Sequence, residues 1–151
     1  MGRTRNAVCS QGYRGFESHP LRQLIMLLVK TKIGPSRISG IGLFADQHIP
    51  AGTLVWKFEP RIDMLLSESD LDKLSDAARD QIDHHSYFDK ARGKYVLCGD
   101  NARFFNHSSN PNCDEKIPDQ TIALRDILPG EELTVDYRTF DASGMEDIIN
   151  D

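Results

Sequence analysis

Three segments of this chain hold residues whose types and spacing could do chemistry. In Arg103-Phe104-Phe105-Asn106-His107-Ser108-Ser109-Asn110-Pro111-Asn112-Cys113, two aromatics run into a turn dense in amides, hydroxyls and one imidazole. Pro111 and the Asn side chains fix such a turn locally, so its polar groups are presented in a set geometry. Downstream, a Pro129-Gly130 turn feeds Glu131-Glu132-Leu133-Thr134-Val135-Asp136-Tyr137, a short strand whose last residue offers a hydroxyl able to orient a reacting group. Upstream, Ser39-Gly40-Ile41-Gly42-Leu43-Phe44-Ala45 places two glycines where backbone could come close to a ligand. Taken singly, each has an ordinary structural reading. The glycines make a turn, Asn106 and His107 an Asx-type turn around a satisfied imidazole, Tyr137 a half-buried strand tyrosine, and Arg103 a structural ion pair.

Together and in this order, the segments resemble the G-x-G-LFA, RFxNHSxxPN and GEELTxDY signatures of the SET-domain protein-lysine methyltransferases, in the short cysteine-poor form of bacteria and viruses. The resemblance covers roughly residues 27–140. It implies a mainly β fold, the SET (β-clip) arrangement of several small sheets, with a threaded pseudoknot-like C-terminal segment and one inserted helix. It also implies methyl transfer from S-adenosyl-L-methionine to a lysine side chain of a protein. On that basis Tyr137 is the expected catalytic hydroxyl. Gly40, Ile41, Gly42, Arg103, Phe105, Asn106 and His107 are expected around the cofactor, and Phe58, Tyr87 and Phe140 along the substrate channel. Phe58 stands where several relatives carry a second active-site tyrosine, which leaves the number of methyls added open. Ser109 replaces a cysteine common in the family, and no cysteine follows Tyr137. The family's structural zinc needs four ligands and is therefore not expected. Two other readings stay open: a degenerate SET module that binds peptide or cofactor without turnover, and a β-clip binding domain with no cofactor.

The implied reaction makes definite demands. Nucleophile, methyl carbon and sulfur must be held nearly in line. The lysine must lose its proton although its reference pKa is ~10.4, which a desolvating channel and a nearby positive charge both favour.

Composition narrows the class further. At 151 residues, 39% hydrophobic and 27% charged, the sequence reads as one soluble, cytoplasmic globular domain. The longest apolar run, Leu24 to Val29, is far short of the ~20 residues that span a bilayer. Cysteines 9, 98 and 113 form no C-x-x-C pair and read as reduced thiols. Residues 1–25 carry four arginines and one glutamate, leaving 14 basic and 22 acidic side chains, a net −8. An acidic body repels nucleic acid and attracts a basic, lysine-containing protein segment, although solubility alone would also account for it. No membrane partner is expected, and a homodimer is left open.

The elements that must position these groups follow from pattern. Leu27–Ile33 and Thr53–Phe58 read as strands, with turns at Gly34-Pro35 and Pro50-Ala51-Gly52 between them. Ser67 or Ser69 can cap one helix running from Asp70 to His84-His85, with Leu71, Leu74, Ala78 and Ile82 on its inner face. The paired histidines read as a helix end meeting solvent, not as a metal site. Tyr87-Phe88 and Lys94–Leu97 make a strand pair, and Thr121–Leu124 and Glu132–Asp136 flank the Leu128-Pro129-Gly130 turn. The expected domain spans 26–140, followed by an acidic tail, 141–151, with a short helix near Met145–Ile149. Residues 1–25 read as a non-native or disordered extension. Gly15-Phe16-Glu17-Ser18 back-translates to the T-arm of a transfer-RNA gene, which makes Met26 the expected native start.

Overall fold

The computed structural model describes residues 26–141, and short strands dominate them. The expectations for 1–25 and for the tail after Asp141 lie outside the described residues. In chain order the strands are β1 (Met26–Leu27), β2 (Thr31–Pro35), β3 (Ile41–Ala45), β4 (Leu54–Lys57) and β5 (Met64–Leu66). Helices α1 (Glu68–Leu71) and α2 (Asp76–His85) follow, then β6 (Ser86–Asp89), β7 (Lys94–Leu97), β8 (Asn106–His107), β9 (Cys113–Asp114), β10 (Gln120–Ala123) and β11 (Thr134–Val135).

These strands form four small sheets with the orders β1-β4-β10-β9, β2-β3, β5-β7-β6 and β11-β8. Alternation of side chains across the strands sets what each sheet buries. Leu43 and Ala45 of β3, and Thr121 and Ala123 of β10, are fully or almost fully buried. With Ile49, Val55, Trp56, Phe105, Ile127, Leu133 and Val135 they form one core between the sheets. Each large apolar side chain withdrawn in this way contributes about 1.5–3 kcal/mol.

The threaded segment is the feature that assembles the site. β8 and β11 pair in parallel, Thr134 opposite Asn106 and Val135 opposite His107, so the Tyr137 segment lies directly beside the Asn-His segment. Asn112 clasps the two. Its Oδ1 accepts from Thr134 N–H at 2.8 Å, and its Nδ2 donates to the Glu132 carbonyl at 2.8 Å. On the other flank, Leu133 N–H donates to Leu43 O at 2.7 Å and Ala45 N–H to Glu131 O at 2.9 Å, which docks the same stretch onto β3.

Two expectations about elements are corrected. The strand expected over Leu27–Ile33 is divided between β1 and β2, which belong to different sheets. The chain changes partners there, with Leu28 N–H turned to Val55 O and Lys30 N–H taken by the Gln47 side chain. The single inserted helix is two. α1 begins at Glu68, with the Asp70 carboxylate accepting from Ser67 N–H. The chain then breaks, and Ser75 Oγ accepts Ala78 N–H to start α2. Leu71 is fully buried whereas Leu74 is 39% exposed, so the inner face expected to run through both does not exist.

Candidate active site

Asn106 stands at the centre of a small polar cradle. Its Nδ2 lies 3.1 Å from Ser39 O, 3.3 Å from Ile41 O and 2.7 Å from Glu132 Oε1. Glu132 is held in turn by the Ser36 hydroxyl at 2.7 and 2.9 Å. Three acceptors converging on one nitrogen form the arrangement that an ammonium group, with three donors and no acceptor, would seek. Gly40 has φ +45°, a left-handed conformation that favours glycine, and open space where a side chain would begin. At Gly42 a side chain would run into the Glu132 carboxylate, which would have to move out of the cradle. The remaining lone pairs of these acceptors suit the ammonium end of a ligand.

Alternation along the chain separates neighbours. Asn106 serves the cradle, while Phe105 lines a cavity of about 60 Å³ bounded also by Trp56, Tyr87, Cys98, Glu115, Val135, Tyr137 and Phe140. His84, His85, Ser86, Ala102, Arg103 and Asp141 complete its wall. Phe140 meets Tyr87 edge-on with ring centroids 5.1 Å apart and Tyr137 at 5.8 Å, so three aromatics close one side. Trp56 is 3% exposed, and its indole N–H has no hydrogen-bond partner among the described residues.

Tyr137 joins cradle and cavity. Its hydroxyl donates to the Phe105 backbone carbonyl, and its own N–H donates to His107 Nδ1 at 3.2 Å. Acceptance at Nδ1 leaves the neutral imidazole's proton on Nε2. Since the phenol proton is committed to Phe105, the oxygen offers its lone pairs to whatever enters the cavity. Burial raises the Tyr137 pKa strongly, with the Glu115 charge next in effect, and burial does the same to Tyr87. Both phenols are neutral at physiological pH. Glu115 is the contrasting group. Part of the residue reaches the surface, yet its carboxyl is enclosed at the cavity wall, where desolvation pushes its pKa up to about 7 against one hydrogen bond from Thr121 Oγ1 at 2.7 Å. The thiols Cys98 and Cys113 are reduced, buried and held protonated by that burial, Cys113 with its pKa pushed up to about 12. Among the described residues no cluster of three or more His, Cys, Asp or Glu could hold a metal ion.

The structure thus brings Gly40, Ile41, Asn106, His107, Phe105, Tyr137, Tyr87 and Phe140 into one region, and it places two expected residues otherwise. Phe58 does not line the cavity. It packs edge-on to Trp56 at 6.5 Å and lies 5.0 Å beneath the Arg92 guanidinium, because β4 ends at Lys57 and Phe58 falls outside the strand. Arg103 makes no ion pair with a carboxylate among the described residues and lies 5.3 Å over the Phe104 ring at the cavity edge. Trp56, Glu115 and Glu132 are site residues that sequence reasoning missed. The apolar run Leu54-Val55-Trp56 was a usable signal for the first, since one of its members must face inward. Nothing local distinguishes Glu115 from the chain's other carboxylates.

Comparison with known proteins agrees with this geometry. A family model described as SET domain matches residues 40–138. A histone-lysine N-methyltransferase, H3 lysine-36 specific, from Schizosaccharomyces pombe is 30% identical over 133 residues, covering 81% of this chain and 15% of that protein. The histone-lysine N-methyltransferase trithorax of Drosophila virilis is 34% identical over 114 residues, 68% of this chain and 3% of the relative. This chain therefore spans only a small part of the relatives' length. Among solved structures, a Chaetomium thermophilum Polycomb Repressive Complex 2 bound to an inhibitor superposes with TM-score 0.55 at 20% identity, over 76% of this chain and 15% of the other. Likeness at that identity speaks to the fold alone. The family model covers the Gly40 cradle, the Asn-His segment and the tyrosine that joins them, and the chain belongs to the SET domain family.

Proposed function

We propose that the protein is an S-adenosylmethionine-dependent methyltransferase acting on lysine side chains of a basic protein segment. One observation carries the reading. The cradle around Asn106 and the cavity around Tyr137 lie on opposite sides of the single Phe105-Asn106 step, joined by the Tyr137–Phe105 hydrogen bond. A cofactor anchored by its amino-acid end at the cradle could present its methyl group toward the cavity beside Tyr137. The cofactor, when bound, supplies an electrophilic methyl group on a sulfonium.

The chain's own residues do the rest. Ser39 O, Ile41 O and Glu132 grip an ammonium, and Asn106 fixes the loop that presents them. Tyr87, Phe140 and Trp56 enclose an aliphatic side chain and exclude water. The Tyr137 oxygen accepts an amine N–H and so turns the nitrogen lone pair in one direction, which is positional catalysis. The relatives named histone-lysine N-methyltransferases support a basic protein as substrate.

Incubation of the protein with radiolabelled S-adenosylmethionine and core histones, followed by mapping of labelled lysines, tests the reading. Tyr137→Phe should retain cofactor affinity while kcat falls at least tenfold. Unlabelled histones with wild-type protein, or unchanged turnover by the variant, would overturn it.

A further inference from the structure

Methyl transfer needs an uncharged amine, and the groups nearest the Tyr137 hydroxyl differ in whether they can produce one. Tyr137 and Tyr87 are neutral phenols held well above their ordinary pKa, so neither takes a proton from an ammonium. Cys98, buried behind them, is likewise held protonated. Asp141, the other carboxylate on the wall, accepts the Phe88 backbone N–H at 3.0 Å and acts on Tyr137 less than Glu115 does. His84 and His85 line the cavity with Arg103, and burial lowers the His85 pKa, aided by the His84 and Arg103 charges. Glu115 remains. Among the charges acting on Tyr137 it has the largest effect, ahead of Asp141, whereas neither histidine contributes. Its neighbours are Asp114, which repels its charge, and the Thr121 hydroxyl, which donates to one carboxyl oxygen. The second oxygen is left to a guest in the cavity.

Resting on the methyltransferase reading, we propose that Glu115 is a catalytic residue that receives the substrate's lysine ammonium inside the cavity and takes its proton. One N–H bond breaks and one O–H bond forms. The amine keeps the electron pair, and two opposite charges vanish together in a space that stabilises neither. The neutral amine is then held by the Tyr137 oxygen with its lone pair free, and the protonated carboxyl returns its proton to water after product leaves. A carboxyl that titrates close to neutral pH is suited to such a cycle, since it is ionised often enough to accept and basic enough to abstract. Accepting from the fully buried Thr121 hydroxyl is a structural use that a neutral amide would serve equally well, whereas proton abstraction needs the carboxylate.

Glu115→Gln keeps the shape and an acceptor for Thr121. Two measurements separate this proposal from the methyltransferase reading on which it rests. The first is the pH–rate profile for methylation of core histones. Wild-type kcat should rise with pH to a plateau near pH 7. In the variant kcat at pH 7 should fall at least tenfold, and its rising limb should move at least one pH unit higher. A variant with wild-type kcat and an unmoved limb overturns the proposal, with His85 or water then serving as base. The second needs no turnover. In carbon-13-labelled wild-type protein, the Glu115 carboxyl resonance, identified by its loss in the variant, is titrated with and without n-butylammonium chloride, a mimic of the lysine side chain. A cation seated at Glu115 must lower its pKa, and a fall of at least one unit is expected. If the titration is unmoved, Glu115 does not face the amine and the proposal fails. If wild-type protein methylates nothing, the methyltransferase reading fails, and this second measurement alone decides whether Glu115 holds an ammonium.

Discussion

Replacing Glu115 by Gln should make the fold more stable in alkaline solution and leave it nearly unchanged in acid. Gln has the shape of a protonated Glu and can still accept from Thr121 Oγ1, which lies 2.7 Å from Glu115 Oε1. Near pH 5 the native wild-type carboxyl is neutral, so the two proteins differ by less than about 1 kcal/mol. As pH rises, the unfolded chain ionises from its ordinary value of 4.5, while the native carboxyl, dried by burial, holds its proton until about 7. A raised pKa gives stability that is fully present below 4.5 and lost as pH climbs through 7. That interval corresponds to about 3 kcal/mol, an upper value because water can enter the cavity. For a chain of 151 residues this is roughly 6–12 °C in Tm. His85, with its pKa lowered by burial, changes stability in the opposite direction over part of the same range. It is present in both proteins and cancels in the difference. Urea denaturation of both at about pH 5, 6, 7 and 8, with equal m values, measures that difference directly. If it does not change with pH, or if wild type gains on the variant as pH rises, the carboxyl is solvated or ion-paired, and the picture of a dry Glu115 is wrong.

Further outcomes follow from other contacts. Asn112→Ala removes two side-chain hydrogen bonds that clasp β11 to the Asn-His segment, so unfolding free energy should fall by about 2–4 kcal/mol; a denaturation midpoint near wild type would show that the clasp is dispensable. Gly42→Ala pushes Glu132 away from Ser36 and Asn106, and calorimetry should show cofactor affinity reduced at least tenfold with the fold retained. Full affinity in that variant would place the cofactor elsewhere. Binding of a basic peptide should weaken with added salt, because exposed charges are screened beyond ~10 Å at 0.1 M. The effect should be modest on the Tyr137 side, since Asp136 is paired with Arg138 at 2.6 Å. A Michaelis constant independent of ionic strength would leave the acidic surface with solubility as its role.

Much of the site was legible because its segments are local. The Asn106-to-Asn112 turn and the Gly130-to-Tyr137 turn-and-strand are built from neighbours in sequence, and turn-forming residues encode them directly. The strand pair Ser86–Asp89 and Lys94–Leu97 was readable for the same reason, being a hairpin around Gly93. What came through the chain's own pattern was therefore the turns, the hairpin and the mainly β character, while the roles expected of residues 87, 137 and 140 came from the family resemblance.

Only the tertiary structure decided how these pieces meet. The parallel pairing of β8 with β11 spans a long separation, and no local preference specifies it. Val55 and Trp56 of β4 are both buried, and only the assembled sheets put Trp56 on the cavity wall while Phe58, past the end of the strand, packs under Arg92. The helix divided because a capping serine at 75 outweighed a weak apolar face. Glu115 is the extreme case. Its side chain is one carboxylate among 23 acidic residues, and its raised pKa arises from burial among walls contributed by β4, β6, β11 and the Tyr137 segment. Desolvation is a property of the enclosure, so it cannot be written in the residue that experiences it.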